Sequence, residues 1–385
     1  MKEVYLPDYR GGSIVNLMSS IANACYGKTS YCNLRNLPSK ELEKHKNIIL
    51  IVIDGLGYEF LKKQGNSFLL DNTRSSITSI FLSTTASVIP TFLTGEAVQQ
   101  HAFTSWFVYL KELGMTTTIL PFMPRVGGER FDKEIIPISQ ILTEKPFGQK
   151  IKRDYYNLTY KPIFDSQFTN YTCQGAKKIK YSTIKEMFSK IASLTKDSRK
   201  KYVYSYWPIL DGMEHDFGTE SSKAKKHFRE IDKEIKKFYN KVRGTDSIII
   251  ITADHGLITT HSDKIIQLKD HLKLEECLSQ SLSGEGRMVY CYVHPSKTKQ
   301  FENYAKTKLS KYCYLHKSED LINKNFFGLG KPNPKLFDRV GDYILMMKYP
   351  YIIKDKLITE PQEINKGHHG GISKEEMLVP LIVLK

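Results

Sequence analysis

Two apolar runs stand out along the chain, Asn47–Ile53 and Ser247–Thr252. Both are short, rich in β-branched residues and closely followed by an aspartate. A run with no polar side to its alternation suits a central parallel strand covered by helices on both faces. Further strands are predicted at 116–120, 202–206, 288–293 and 378–383. In Ser222–Val242, Phe228, Ile231, Ile235, Phe238 and Val242 recur at helical spacing. Strands alternating with helices predict an α/β fold with a mostly parallel central sheet flanked by helices. Gly- and Pro-rich joints at 125–130 and 327–335 mark loops. The strand-then-aspartate pattern stops after residue 260, so 261–350 reads as an inserted cap segment. A catalytic core of 1–260 and 351–385 remains.

Composition narrows the classes. With 41% hydrophobic and 25% charged residues, the 385-residue chain can bury a full core, which excludes a disordered or fibrous protein. Lys and Arg number 57 against 41 Asp and Glu, a net charge of +16. Such a balance favours an anionic partner (nucleotide, nucleic acid or membrane surface), and reads equally as a Lys-rich solvated face. No stretch of about 18 consecutive apolar residues appears, and the first ten residues carry no apolar signal-peptide core. The six cysteines are scattered without CxxC spacing, so reduced thiols and a cytoplasmic location are the expectation.

The candidate chemistry lies where strands end. Asp54 follows the first apolar run directly, and Asp254-His255-Gly256 follows the second. Asp211 and His215, four apart after the 202–206 strand, share one face if helical. A fourth motif, His368-His369-Gly370-Gly371, precedes the last strand. Each alone is explained as well by a helix cap or an exposed loop. Together, three carboxylates and three imidazoles suffice for two divalent cations, and an oxygen–nitrogen donor set suits zinc, with manganese as a second choice. Two-metal sites serve phosphoryl transfer. A nucleophile is available in Ser83-Thr84-Thr85-Ala86-Ser87, just ahead of the helical pattern at 88–93, where helix N–H groups stabilise an alkoxide or a phosphate.

Taken in chain order, these motifs resemble the type I phosphodiesterase/nucleotide pyrophosphatase family of the alkaline phosphatase superfamily. The matching stretches are Ile48-Ile49-Leu50-Ile51-Val52-Ile53-Asp54-Gly55, Ser83-Thr84-Thr85-Ala86, Thr94-Gly95 and Leu210-Asp211 with His215. Thr252-Ala253-Asp254-His255-Gly256, His369-Gly370-Gly371 and Val379-Pro380-Leu381 complete the series. The resemblance implies an alkaline phosphatase-like fold. It makes Thr85 the nucleophile and, with Asp54, Asp254 and His255, a ligand of one zinc ion. Asp211, His215 and His369 would hold the second, with His368 as a rival to His369. It further implies a phosphothreonine intermediate and a nucleotide-type phosphodiester or pyrophosphate substrate, nucleic acid included. Two other readings compete: a phosphomonoesterase or phosphomutase on the same scaffold, and a non-catalytic nucleic-acid-binding protein. The second is disfavoured because no helix-turn-helix, zinc-finger or RNP signature is present. Trp106, Phe107, Tyr155, Tyr156, Arg287, Arg339 and Asp342 are candidate substrate contacts.

Overall fold

In the computed structural model, which describes residues 4–355, 357 and 365–385, Asn47–Ile53 is a strand with all seven residues buried. Ser247–Thr252 is likewise buried throughout. They pair in parallel, as do Asn47–Ile53 and Lys201–Trp207. The full sheet has seven strands in the order Thr73–Thr78, Leu378–Leu384, Ser247–Thr252, Asn47–Ile53, Lys201–Trp207, Asp154–Tyr160 and Lys177–Tyr181. Only Leu378–Leu384 runs against its neighbours. Helices Ile184–Leu194 and Ser222–Val242 pack together, as do Ile14–Ala24 and Thr85–Thr94. The predicted stripe of Phe228, Ile231, Ile235, Phe238 and Val242 is the buried face of Ser222–Val242, whose other faces are mostly charged. The α/β architecture with a mostly parallel sheet between helices is therefore the observed one.

A second seven-stranded sheet is antiparallel throughout, in the order Cys313–Lys317, Tyr343–Met347, Met288–Cys291, Ser283–Glu285, Phe107–Leu110, Met115–Thr118 and Met123–Pro124. Its strands come from 283–347 and from 107–124. A single pairing, Gly284 with Phe107, joins the two groups. The strands expected at 116–120 and 288–293 thus lie in this layer rather than in the parallel sheet. The second sheet has its own apolar cluster, including Val289, Phe301, Leu309 and Leu345, separate from the main core. All six cysteines are free, five of them buried. Among the described residues no helix is long and apolar enough to cross a membrane.

Candidate active site

Topology brings the candidate residues to one edge. Asp54, Asp211 and Asp254 follow the carboxyl ends of three mutually parallel strands, where open α/β sheets place their ligands. Thr73–Thr78, which leads toward Thr85, points the same way because it is antiparallel to the one reversed strand. That reversed strand begins at the same edge, so His369, just ahead of it, arrives there too. Asp211 and His215 lie one turn apart on helix Ile209–Phe217, as their spacing predicts. The loops carrying Asp54 and Asp254 touch closely: a Cβ on Gly57 would stand 2.8 Å from the Cα of Gly256. Only glycine permits that approach.

All seven side chains converge. The hydroxyl of Thr85, first residue of helix Thr85–Thr94, lies 3.0 Å from Nε2 of His255. The same Nε2 is 3.5 Å from Asp54 Oδ1 and 3.5 Å from Asp254 Oδ2. On the other side, Nε2 of His215 lies 3.3 Å from Asp211 Oδ2 and 3.2 Å from Nε2 of His369. The His255 and His369 rings stack with centroids 3.9 Å apart, linking the two halves. His368, the rival, turns away, its Nε2 2.9 Å from the Asn365 carbonyl.

Surrounding groups fix these orientations. The Tyr206 hydroxyl donates to Asp54 Oδ2. The backbone N–H of His255 donates to Asp254 Oδ1 at 3.0 Å. Nδ1 of His215 is 2.8 Å from the Gly367 carbonyl, which assigns a proton to that nitrogen and leaves Nε2 facing Asp211 and His369. Behind His369, Glu376 accepts from the Gly371 N–H at 2.8 Å and is gripped by Arg287, whose Nε and Nη2 lie 2.9 and 3.0 Å from the two carboxylate oxygens. Both members of that ion pair are buried.

The electrostatics fit bound cations. Burial, then the neighbouring Asp254 and Asp211, pushes the Asp54 carboxyl well above its ordinary range. Burial also raises Asp254. His255, His215 and His368 add to burial in driving His369 far down. Burial pushes His215 down, yet the adjacent Asp211 outweighs it and holds that imidazole up at about 9. Asp54 Oδ1, Asp254 Oδ2, Asp211 Oδ1 and His369 Nδ1 are buried without a hydrogen-bond partner. Buried carboxylates left unpaired are costly unless a cation meets them. No Lys or Arg among the described residues forms an ion pair with Asp54, Asp211 or Asp254. Two groups have ligand atoms close enough to share one ion: Asp54, Asp254 and His255, and Asp211, His255 and His369. These residues therefore fit a pair of divalent cations.

Several candidate substrate contacts are not at the site. Tyr155 is buried and stacks on Tyr202, and Tyr156 is buried as well. Arg287 is committed to Glu376, and buried Arg339 to Glu112 at 2.7 Å. Asp342 accepts from the backbone N–H of Val293. Tyr155, Tyr156, Arg287 and Arg339 are thus buried in the fold, and the exposed Asp342 holds a neighbouring strand end. Trp106 and Phe107 remain, both partly exposed: the Trp106 backbone N–H reaches Glu285, and the Arg125 guanidinium lies over the Phe107 ring.

The residue that sequence reasoning missed is Glu285, at the end of strand Ser283–Glu285. Its carboxyl accepts from the Thr84 hydroxyl at 2.7 Å and from the Trp106 N–H at 2.9 Å. Burial, partly offset by those two bonds, holds it up at about 7. The one local signal was its placement between Gly284 and Gly286, a marker of close backbone approach.

Comparison with known proteins places this geometry in context. Residues 48–372 match the sequence profile of the family described as type I phosphodiesterase/nucleotide pyrophosphatase. No curated protein matches the chain significantly. Among solved structures, murine ectonucleotide pyrophosphatase/phosphodiesterase 5, in an inactive threonine-to-alanine form with AMP bound, superposes with a TM-score of 0.63 at 14% identity, covering 87% of each chain. The human protein of the same name gives 0.62 at 15% identity, again over 87% of each chain. Phosphonoacetate hydrolase from Sinorhizobium meliloti 1021 gives 0.64 at 14% identity, over 88% of this chain and 90% of its own. With the profile spanning most of the parallel sheet, helix Thr85–Thr94 and all three aspartates, the chain belongs to the type I phosphodiesterase/nucleotide pyrophosphatase family, within the alkaline phosphatase superfamily.

Proposed function

We propose that the protein is a zinc-dependent hydrolase of phosphodiester or pyrophosphate bonds in nucleotide-type substrates, acting through a phosphorylated Thr85. The observation that carries this reading is the Thr85 hydroxyl, 3.0 Å from His255 at the start of a helix and facing the carboxylate–imidazole cluster. Two divalent cations held by Asp54, Asp254, His255 and Thr85, and by Asp211, His215 and His369, would supply charge for the phosphoryl oxygens and lower the pKa of the attacking hydroxyl. The chain's own part is positional. Thr85 Oγ1 attacks phosphorus in line, the P–O bond to the alcohol or nucleotide breaks, and water later cleaves the phosphothreonine from the opposite side. The N–H groups at the start of the helix stabilise the phosphoryl oxygens, since Thr84 makes no side-chain cap there. Half-exposed Trp106 offers a face for the second substituent.

A diester substrate is favoured because neither Arg287 nor Arg339 is available to hold the additional charge of a monoester. The test is a hydrolysis screen of the zinc-loaded protein over nitrophenyl mono- and diesters, dinucleotides, nucleotide sugars, NAD, oligonucleotides and phosphonoacetate. The expected diester-to-monoester ratio in kcat/KM is at least about tenfold, about 1.4 kcal/mol of transition-state binding. Exhaustive chelation should abolish turnover, and zinc or manganese should restore it. Diester hydrolysis that survives chelation would overturn the reading, and a ratio below one would move the protein to the phosphatases.

A further inference from the structure

The Glu285 carboxyl is bracketed by the two halves of the site. On one side it accepts from the hydroxyl of Thr84, the residue before Thr85. On the other it lies against the backbone after His369: a Cβ on Gly370 would stand 2.9 Å from the Cβ of Glu285. Gly284 and Arg287 nearby are buried, whereas Glu285 keeps part of its surface open. It belongs to the second sheet, the layer that supplies no other member of the cluster.

Two donors immobilise it, and both bonds fall on one oxygen, Oε1. The Thr84 side chain, turned to Glu285, makes no cap hydrogen bond to helix Thr85–Thr94. Fixing a carboxylate beside a phosphate-accepting helix start would be counterproductive unless the charge itself serves a purpose. Arg287 and Arg339 are committed to Glu376 and Glu112 and do not compensate for it.

We propose that Glu285 is a specificity-determining residue, its fixed carboxylate selecting phosphoryl groups that carry one negative charge over those that carry two. This rests on the reading of Thr85 as the residue that meets phosphorus. A phosphoryl group carrying two negative charges is repelled by the carboxylate about twice as strongly as one carrying a single charge, and in a desolvated site that difference is poorly screened.

Glu285→Gln isolates the charge, because its amide oxygen can keep both Oε1 hydrogen bonds. Glu285→Ala removes the charge and the bonds together. Zinc-loaded proteins freed of excess metal are titrated calorimetrically at pH 8.5 with inorganic phosphate and with dimethyl phosphate, and kcat/KM is measured for nitrophenyl phosphate and bis-nitrophenyl phosphate. In Glu285→Gln, the phosphate-to-dimethyl phosphate affinity ratio and the monoester-to-diester kcat/KM ratio should each rise by about tenfold. Glu285→Ala should show the same change in the affinity ratio. Ratios that stay within twofold of wild type in an enzyme that cleaves diesters would overturn the role of Glu285 and leave the catalytic reading intact. A shifted affinity ratio in a protein that cleaves no ester would do the reverse.

Discussion

Thr84 and Thr85 are neighbours with different partners. The Thr85 hydroxyl faces His255, and that of Thr84 faces Glu285. Thr85→Ala should therefore lower diester kcat/KM by about three orders of magnitude or more, while thermal unfolding moves little, because one hydroxyl at a helix start contributes little to the core. Thr84→Ala should cost far less, since it removes only a bond to a second residue. Steady-state kinetics and melting curves on both variants check this; a large loss confined to Thr84→Ala would show that the wrong hydroxyl had been chosen. Asp54, Asp211, Asp254 and His255 were legible in the sequence because chemistry at the end of a buried strand has few other places to point. His369 could be preferred over His368 only through its glycines. Tyr206 and Glu285 were not legible: one is a strand tyrosine like its neighbours, and the other reaches the site by tertiary contact alone.

At the scale of elements, His101 ties the short helix Val98–His101 to helix Thr85–Thr94. Its Nε2 lies 3.1 Å from the Thr91 hydroxyl, and its Nδ1 accepts the Phe103 N–H at 3.1 Å. A second proton would have to sit on Nδ1, against that N–H. Burial, reinforced by Arg339 and Lys150, accordingly pushes the imidazole down to about 3. A depressed histidine contributes stability that is complete above its unfolded pKa, about 6.5. That stability is lost as pH falls toward the folded value, because the unfolded chain then binds a proton the folded one refuses. Wild type should thus lose stability relative to His101→Gln between pH 6.5 and 4.5, approaching about 1.4 kcal/mol per pH unit. Urea unfolding of both proteins at several pH values measures the difference, and parallel pH profiles would contradict it. The elements that pattern reading recovered, Asn47–Ile53, Ser247–Thr252 and Ser222–Val242, are those whose burial repeats evenly along the chain. Strands Thr73–Thr78 and Lys177–Tyr181 escaped it because edge strands are half-solvated, and their Thr, Arg, Ser and Lys residues blur the alternation.

At the scale of the whole molecule, the excess of 57 basic over 41 acidic residues forms a field that attracts anions. Added salt should then raise KM for an anionic diester more than it lowers kcat, because screening weakens encounter over distances beyond about 8 Å but not contact chemistry. Kinetics from low to high ionic strength test this, and a flat KM would return the charge to mere solubility. The second sheet could not be read at this scale, since among the described residues its 107–124 and 283–347 strands are joined by a single strand pairing, Gly284 with Phe107.

The reversed strand Leu378–Leu384 carries a consequence for how the chain assembles. It fills the slot between Thr73–Thr78 and Ser247–Thr252, so Ile77 waits for Val379, roughly 300 residues away. Until that pairing forms, both neighbours present open, hydrogen-bond-hungry edges, and Thr73–Thr78 has no other strand to join. Closing so long a loop costs entropy before any contact rewards it, which makes the step slow. Two of the proposed metal ligands bound the same region: Asp254 follows one neighbour and His369 precedes the inserting strand. Ions captured during folding would therefore bring the slot and its filler together, turning a catalytic requirement into an aid to assembly and shortening the aggregation-prone interval.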